Sequence, residues 1–263
     1  MIQVAYVGNS IQYFNDTPNV IKRVGSVEHR HSCCLRGGAS LVSLKERGSN
    51  MKRVFKEGSD YGADTIEGLL GPGGGGEGAW DFVVMNDYTQ APARDDSRSA
   101  TLDVLRNYYA PLISPLTVVV FLETFAYVEE GVNNSSDLGT FDEFQDALVD
   151  GYEVYRELMD ELGIKCRIAK VGSAFRRVKS ADEELWRKLY FSDKYHPSPL
   201  GTFLSSCVLH RTMFGSDAVL ERAGEAFVEA RHMSGGDIPD LQDMERVWEI
   251  AGSEGGGERR GKL

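Results

Sequence analysis

The chain is short of most features that would announce a function. It has four cysteines in 263 residues, Cys33, Cys34, Cys166 and Cys207, and none are spaced as Cys-x-x-Cys. Neither a zinc site nor a disulfide framework is expected from them. Cys33, Cys34 and Cys207 stand among apolar neighbours and read as buried thiols of a reducing compartment. No run approaches the roughly 20 apolar residues of a membrane span. No signal peptide precedes the first strand, so a cytoplasmic location is the default expectation, or a secreted one if an N-terminal segment is missing. Cations are the minority: 29 Lys and Arg against 40 Asp and Glu, a net charge of -11. That balance disfavours nucleic acid as a partner, because displacing counterions from phosphate needs a cationic face. No Gly-x-Gly-x-x-Gly follows the first strand. The glycine-rich stretch 71–79 lacks a following Gly-Lys-Ser/Thr and precedes a strand, so it reads as a flexible surface loop and not a phosphate cradle. No cofactor or metal is expected.

What is present is an alternation. Strand-like runs at 2–8, 31–37, 80–86, 116–124 and 165–172 are separated by helical patterns at 15–28, 40–58, 99–114 and 141–163, with a final helix of one strongly apolar face at 199–215. Strand and helix alternating five times predicts an α/β fold, a mostly parallel five-stranded sheet covered by helices on both faces. Residues 1–252 are expected to form a single domain and 253–263 a disordered tail. In such sheets ligands gather beyond the carboxyl ends of the strands. The residues found there are Gly8-Asn9-Ser10, Gly37-Gly38, Asn86-Asp87 and Glu123-Thr124.

These residue types suit acyl transfer, which needs a nucleophile, a base, a group to orient the base, and donors for an oxyanion. Ser10 follows Gly8 on a turn from strand to helix. Of the five histidines, His29 and His31 flank the second strand as surface residues, His210 lies in an apolar helix, and His232 in a polar C-terminal segment. His196 differs, standing before a helix with Asp193 three residues earlier. A carboxylate at that spacing can hold one ring nitrogen while the other faces a serine hydroxyl. Gly38 N–H, Ser10 N–H and the Asn86 amide are candidate oxyanion donors. Taken singly, each of these patterns is more often a turn or a helix cap than part of an active site. Their weight comes from falling together at strand ends.

Four blocks, Ser10 in VGNSI, Gly38 in RGGASL, Asn86 in VVMND and His196 in SDKYHPSPLG, resemble those of the SGNH hydrolases, the GDSL-like esterase and lipase superfamily. Asp193 precedes His196 at that family's Asp-x-x-His spacing, and the likeness spans roughly residues 1–215. Three positions depart from its pattern: Asn9 stands for Asp, Ile11 for Leu, and Val84 for Gly. The resemblance implies a flavodoxin-like three-layer α/β/α sandwich that needs no metal. It also implies hydrolysis of carboxylic esters through an acyl-serine, with Ser10, Asp193 and His196 catalytic and Ser10, Gly38 and Asn86 as the oxyanion hole. The expected substrate is a short acyl ester, such as an acetyl ester, on a carbohydrate or small molecule. Segment 126–140 could be a pocket wall or a mobile loop. The alternatives are a catalytically inactive binding protein of the same fold and a nucleotide-binding protein of the same sheet class, which the missing phosphate loop disfavours.

Overall fold

The computed structural model describes residues 1–25, 27–50, 63–72, 74, 80–215 and 238–252. Five strands form one parallel sheet in the order β2-β1-β3-β4-β5: β1 Ile2–Gly8, β2 His29–Leu35, β3 Phe82–Met85, β4 Val118–Leu122 and β5 Cys166–Ala169. Val4–Val7 and Val119–Leu122 are fully buried, as strands covered on both faces must be. Beyond α1 (Ser10–Tyr13), the helices are α2 Thr17–Val24, α3 Leu41–Arg47, α4 Ile66–Leu70, α5 Asp95–Val104, α6 Phe141–Glu161, α7 Val171–Ala181, α8 Glu183–Arg187, α9 Pro199–Phe214 and α10 Leu241–Gly252. α2, α7 and α10 pack on α9, while α3, α5 and α6 form the other layer.

The chain leaves β1 toward one side of the sheet for β2 and crosses to its other side for β3. Right-handed crossovers in opposite directions put their connections on opposite faces, and a crevice opens where they diverge. The register Gly8 to Leu35 and Val7 to Met85 aligns the strand ends, so the turns after β1, β2 and β3 share that crevice.

Local chemistry sets the helix limits. Thr140 and Glu143 cap α6 reciprocally, with Glu143 N–H donating to the Thr140 hydroxyl and Thr140 N–H to the Glu143 carboxylate. Ser198 caps α9, whose first residue is Pro199 and whose end is Gly215 in the left-handed region. Several expectations need correction. α3 stops at Gly48, at φ +62°, rather than running on, and 51–58 lie outside the described residues. α5 begins at Asp95 and passes into a π turn (Leu105–Tyr109) and a 3₁₀ turn containing Pro111. α9 is buried almost all round, its polar Thr202, Ser205, Ser206 and His210 as well as Leu200, Phe203, Leu204 and Cys207, so it is a central helix and not one with a single buried apolar face. α4, α7, α8 and α10 lie where the apolar pattern predicts no helix. Most of the glycine-rich stretch, the tail from 253 and His232 lie outside the described residues.

Candidate active site

Ser10 owes its position to Gly8 and Asn9. A Cβ on Gly8 would sit 2.0 Å from Asn86 Oδ1 and 2.8 Å from Gln12 Nε2, so the β1 end can approach β3 this closely only without a side chain. Asn9 then caps the one-turn α1, its Oδ1 accepting from Ile11 N–H at 3.1 Å. Ser10 is the first helical residue. Gly38 lies in the turn after β2 at φ +64°, a conformation glycine adopts without strain. Among the described residues, neither the Ser10 nor the Gly38 backbone N–H has an acceptor in the protein.

His196 is held by its own loop. Asp193 Oδ1 accepts from the backbone N–H of Tyr195 (3.2 Å) and of His196 (2.9 Å), and Phe191 N–H donates to His196 O at 2.9 Å. The other oxygen, Oδ2, lies 2.7 Å from His196 Nδ1, and His196 Nε2 lies 2.8 Å from Ser10 Oγ. A carboxylate can only accept, so Nδ1 carries the proton and the Nε2 lone pair faces the serine hydroxyl. Asn15 fastens this loop to the Ser10 turn, donating to Pro197 O (2.8 Å) and to the Thr202 hydroxyl (3.0 Å).

Asn86 is placed differently from expectation. It is fully buried, and both amide hydrogens are used internally, on Asn9 Oδ1 and Asp87 O, each at 2.9 Å. Its Oδ1 accepts from Gln12 Nε2 at 2.7 Å, and the residue does not line the cavity beside Ser10. It braces β1 against β3 instead of offering a donor. The adjacent Asp87 is also buried. Burial raises its carboxyl above the usual range, while Thr101, Tyr155 and the N–H groups of Leu41 and Tyr88 donate to it and pull the other way. Val84, where the family pattern has Gly, is a buried β3 residue between Tyr6 and Val120.

A cavity of about 400 Å³ opens over Ser10 and His196, walled by Tyr13, Phe14, Tyr88, Tyr127, Asn133 and Tyr195 among others; among the described residues no Lys, Arg, Asp or Glu lines it. Asn133, at φ +51°, donates to the hydroxyls of Tyr88 (3.1 Å) and Tyr127 (3.2 Å). Gln90 holds the Asn133 carbonyl at 2.7 Å. Arg94 holds the next carbonyl and pairs bidentately with Asp137. Segment 126–140 is therefore pinned as a wall of the cavity. Nothing in the local sequence around Asn133 distinguishes it from a glycosylation acceptor or a loop residue.

The other described histidines, His29, His31 and His210, lie elsewhere. His29 and His31, expected at the surface, are 5% and 4% exposed, and His210 is fully buried. β2 lies at the sheet edge, but Phe214 packs on His29 and Tyr6 on His31. Burial lowers the pKa of both His29 and His31. Among the described residues, no group of three or more His, Cys, Asp or Glu could hold a metal ion, and no helix is long and apolar enough to cross a membrane.

No family model matches the chain, and no curated protein does. Solved structures do. A protein of Slackia heliotrinireducens, provisionally described as an SGNH hydrolase, is 26% identical over 81% of this chain and 98% of its own, with a TM-score of 0.54. A DUF4886 family protein of Bacteroides uniformis superposes with a TM-score of 0.62 over 95% of this chain and 93% of its own, at 18% identity, a likeness of fold.

Proposed function

The chain has an SGNH/GDSL-like α/β fold, and on that premise we propose that it is a serine hydrolase of carboxylic esters. The observation that carries the reading is the unbroken chain from Asp193 through both nitrogens of His196 to Ser10 Oγ, at 2.7 and 2.8 Å, on the floor of a cavity. Ser10 Oγ attacks the ester carbonyl carbon as His196 Nε2 removes its proton, and Asp193 stabilises the imidazolium that forms. The carbonyl oxygen, now an anion, accepts from the N–H groups of Ser10 and Gly38. A single donor of this kind is typically worth about 3 kcal/mol in the transition state. The C–O bond to the alcohol breaks, and His196 returns the proton to the departing alkoxide. Water, deprotonated by His196, then releases the acid from the acyl-serine.

The cavity supports the substrate class. Its size suits a small molecule, its walls are aromatic and hydroxyl-bearing, and among the described residues its lining holds no formal charge except on His196 when protonated. A short acyl ester, such as an acetyl ester, of a neutral carbohydrate or comparable alcohol fits that chemistry. Ser10→Ala tests the reading. Hydrolysis of p-nitrophenyl acetate should vanish, and a fluorophosphonate should label the wild type at Ser10 but not the variant. Undiminished turnover by Ser10→Ala would refute the assignment. An unlabelled, inactive wild type would point to a binding protein of this fold, a reading that the inward-turned Asn86 amide favours.

A further inference from the structure

We propose that Phe14 is a positioning residue for the base, acting through the His196 ring; this rests on the hydrolase reading above. The two rings are stacked, with centroids 4.2 Å apart and planes within 3°. Phe14 is itself steadied by the edge of Phe191, at 5.5 Å and 61°. Its place follows from the sequence of one helical turn. Phe14 is four residues after Ser10, and its N–H donates to Ser10 O at 2.9 Å. Residues four apart share a helix face, so an imidazole that bonds the Ser10 hydroxyl is brought over the Phe14 ring.

The stacking supplies a restraint that the hydrogen bonds lack. Asp193 and Ser10 hold the imidazole at its two nitrogens. Hydrogen bonds at two in-plane atoms resist out-of-plane motion weakly, so small rotations about the Cα–Cβ and Cβ–Cγ bonds rock the ring and tilt the Nε2 lone pair off the serine proton. A parallel ring on one face blocks that motion. Tyr195, with its centroid 4.3 Å from that of His196 and tilted by 41°, also touches the ring but is not parallel to it. The second effect is electrostatic. When His196 takes the Ser10 proton, its positive charge lies against the negative face of the Phe14 π system. That attraction grows as the charge develops, so it belongs to the transition state more than to substrate binding.

The test uses Phe14→Leu, which keeps apolar bulk without a π face, and Phe14→Tyr, which keeps the ring, with Ser10→Ala as reference. For p-nitrophenyl acetate, Phe14→Leu should lower kcat about fivefold to tenfold, the range of a partly desolvated cation–π contact. Its KM should stay within about twofold, and Phe14→Tyr should recover most of kcat. The rate of fluorophosphonate labelling should fall in parallel. Should Phe14→Leu fail to fold, Phe14→Met takes its place with the same expectation. An unchanged kcat in the ringless variant overturns the proposal, as does a loss confined to KM, or an equal loss in Phe14→Tyr. If Ser10→Ala remains active, the hydrolase reading itself has failed. If Ser10→Ala is dead while Phe14→Leu runs at the wild-type rate, only the role of Phe14 has failed.

Discussion

Asn9→Asp restores the aspartate of the Gly-Asp-Ser pattern, and the structure says it will damage this protein. Asn9 is 2% exposed and uses its amide in four directions. Nδ2 donates to Ala39 O at 2.8 Å and to Asp87 O at 3.0 Å, while Oδ1 accepts from Ile11 N–H and Asn86 Nδ2. A carboxylate could keep the two acceptor roles, but its second oxygen would face two carbonyl oxygens with nothing to donate. Losing two buried hydrogen bonds costs about 2 kcal/mol. Burying a charge against carbonyl oxygens, near the already buried Asp87, adds a similar amount or more. The total is about 4 kcal/mol, or roughly 8–16 °C in Tm for a chain of this size. Burial should raise the folded-state pKa of the introduced carboxyl above its unfolded value near 3.9. The penalty is then full above the folded pKa and fades as pH falls toward the unfolded one, by up to about 1.4 kcal/mol per pH unit. Chemical denaturation of wild type and variant at pH 7 and pH 5 measures both the gap and its change. A variant as stable as wild type at pH 7, or a gap equally wide at both pH values, would refute the reasoning.

Two further outcomes follow from the same geometry. Gly8→Ala places a Cβ 2.0 Å from Asn86 Oδ1, so β1 and β3 must part; a loss of about 2–4 kcal/mol by denaturation is expected, and wild-type stability would show that the strand ends yield. Because burial lowers the pKa of His29 and His31, the unfolded chain binds more protons below about pH 6.5. Their stabilising contribution is intact above that pH and is lost as pH falls toward the folded values, at up to about 1.4 kcal/mol per pH unit for each histidine. Asp87 and Glu123, with raised carboxyl pKa values, push the other way. The comparison is therefore denaturation midpoints against pH for wild type and His31→Leu. Parallel curves from pH 7 to 5.5 would count against the buried histidine.

The periodicities that place β1, β4 and α6 were legible because each element carries its own signal: a nearly continuous apolar run in the strands, an apolar stripe at helical spacing in α6. The Asp193-x-x-His196 loop was legible for the same reason, since its hydrogen bonds close within three residues. α7 and α8 were missed because they follow β5 with little break and interleave charged residues with the core positions.

Other features depend on which surfaces meet. Ser10 and His196 are 186 residues apart, and tertiary contacts, the packing of α9 on α2 and the Asn15 bonds to Pro197 and Thr202 among them, bring the imidazole to the hydroxyl. Whether an asparagine at a strand end faces a cavity or a neighbouring strand is not written in its neighbours. Asn86 turned inward because Asn9 and Gln12, on the adjacent β1 turn, present matching amides. His29 and His31 lie on an edge strand that looked exposed until Phe214 and Tyr6 covered them. Asn133 reached the cavity because Gln90 and Arg94 hold its loop from another element. Short-range hydrogen bonding and hydrophobic period fix local form from a few residues, whereas a side chain's partners depend on contacts between elements that no local pattern encodes. The VGNS turn shows both: its strand, turn and serine could be read directly, but the reason for asparagine at position 9 lies in Ala39 and Asp87, 30 and 78 residues away.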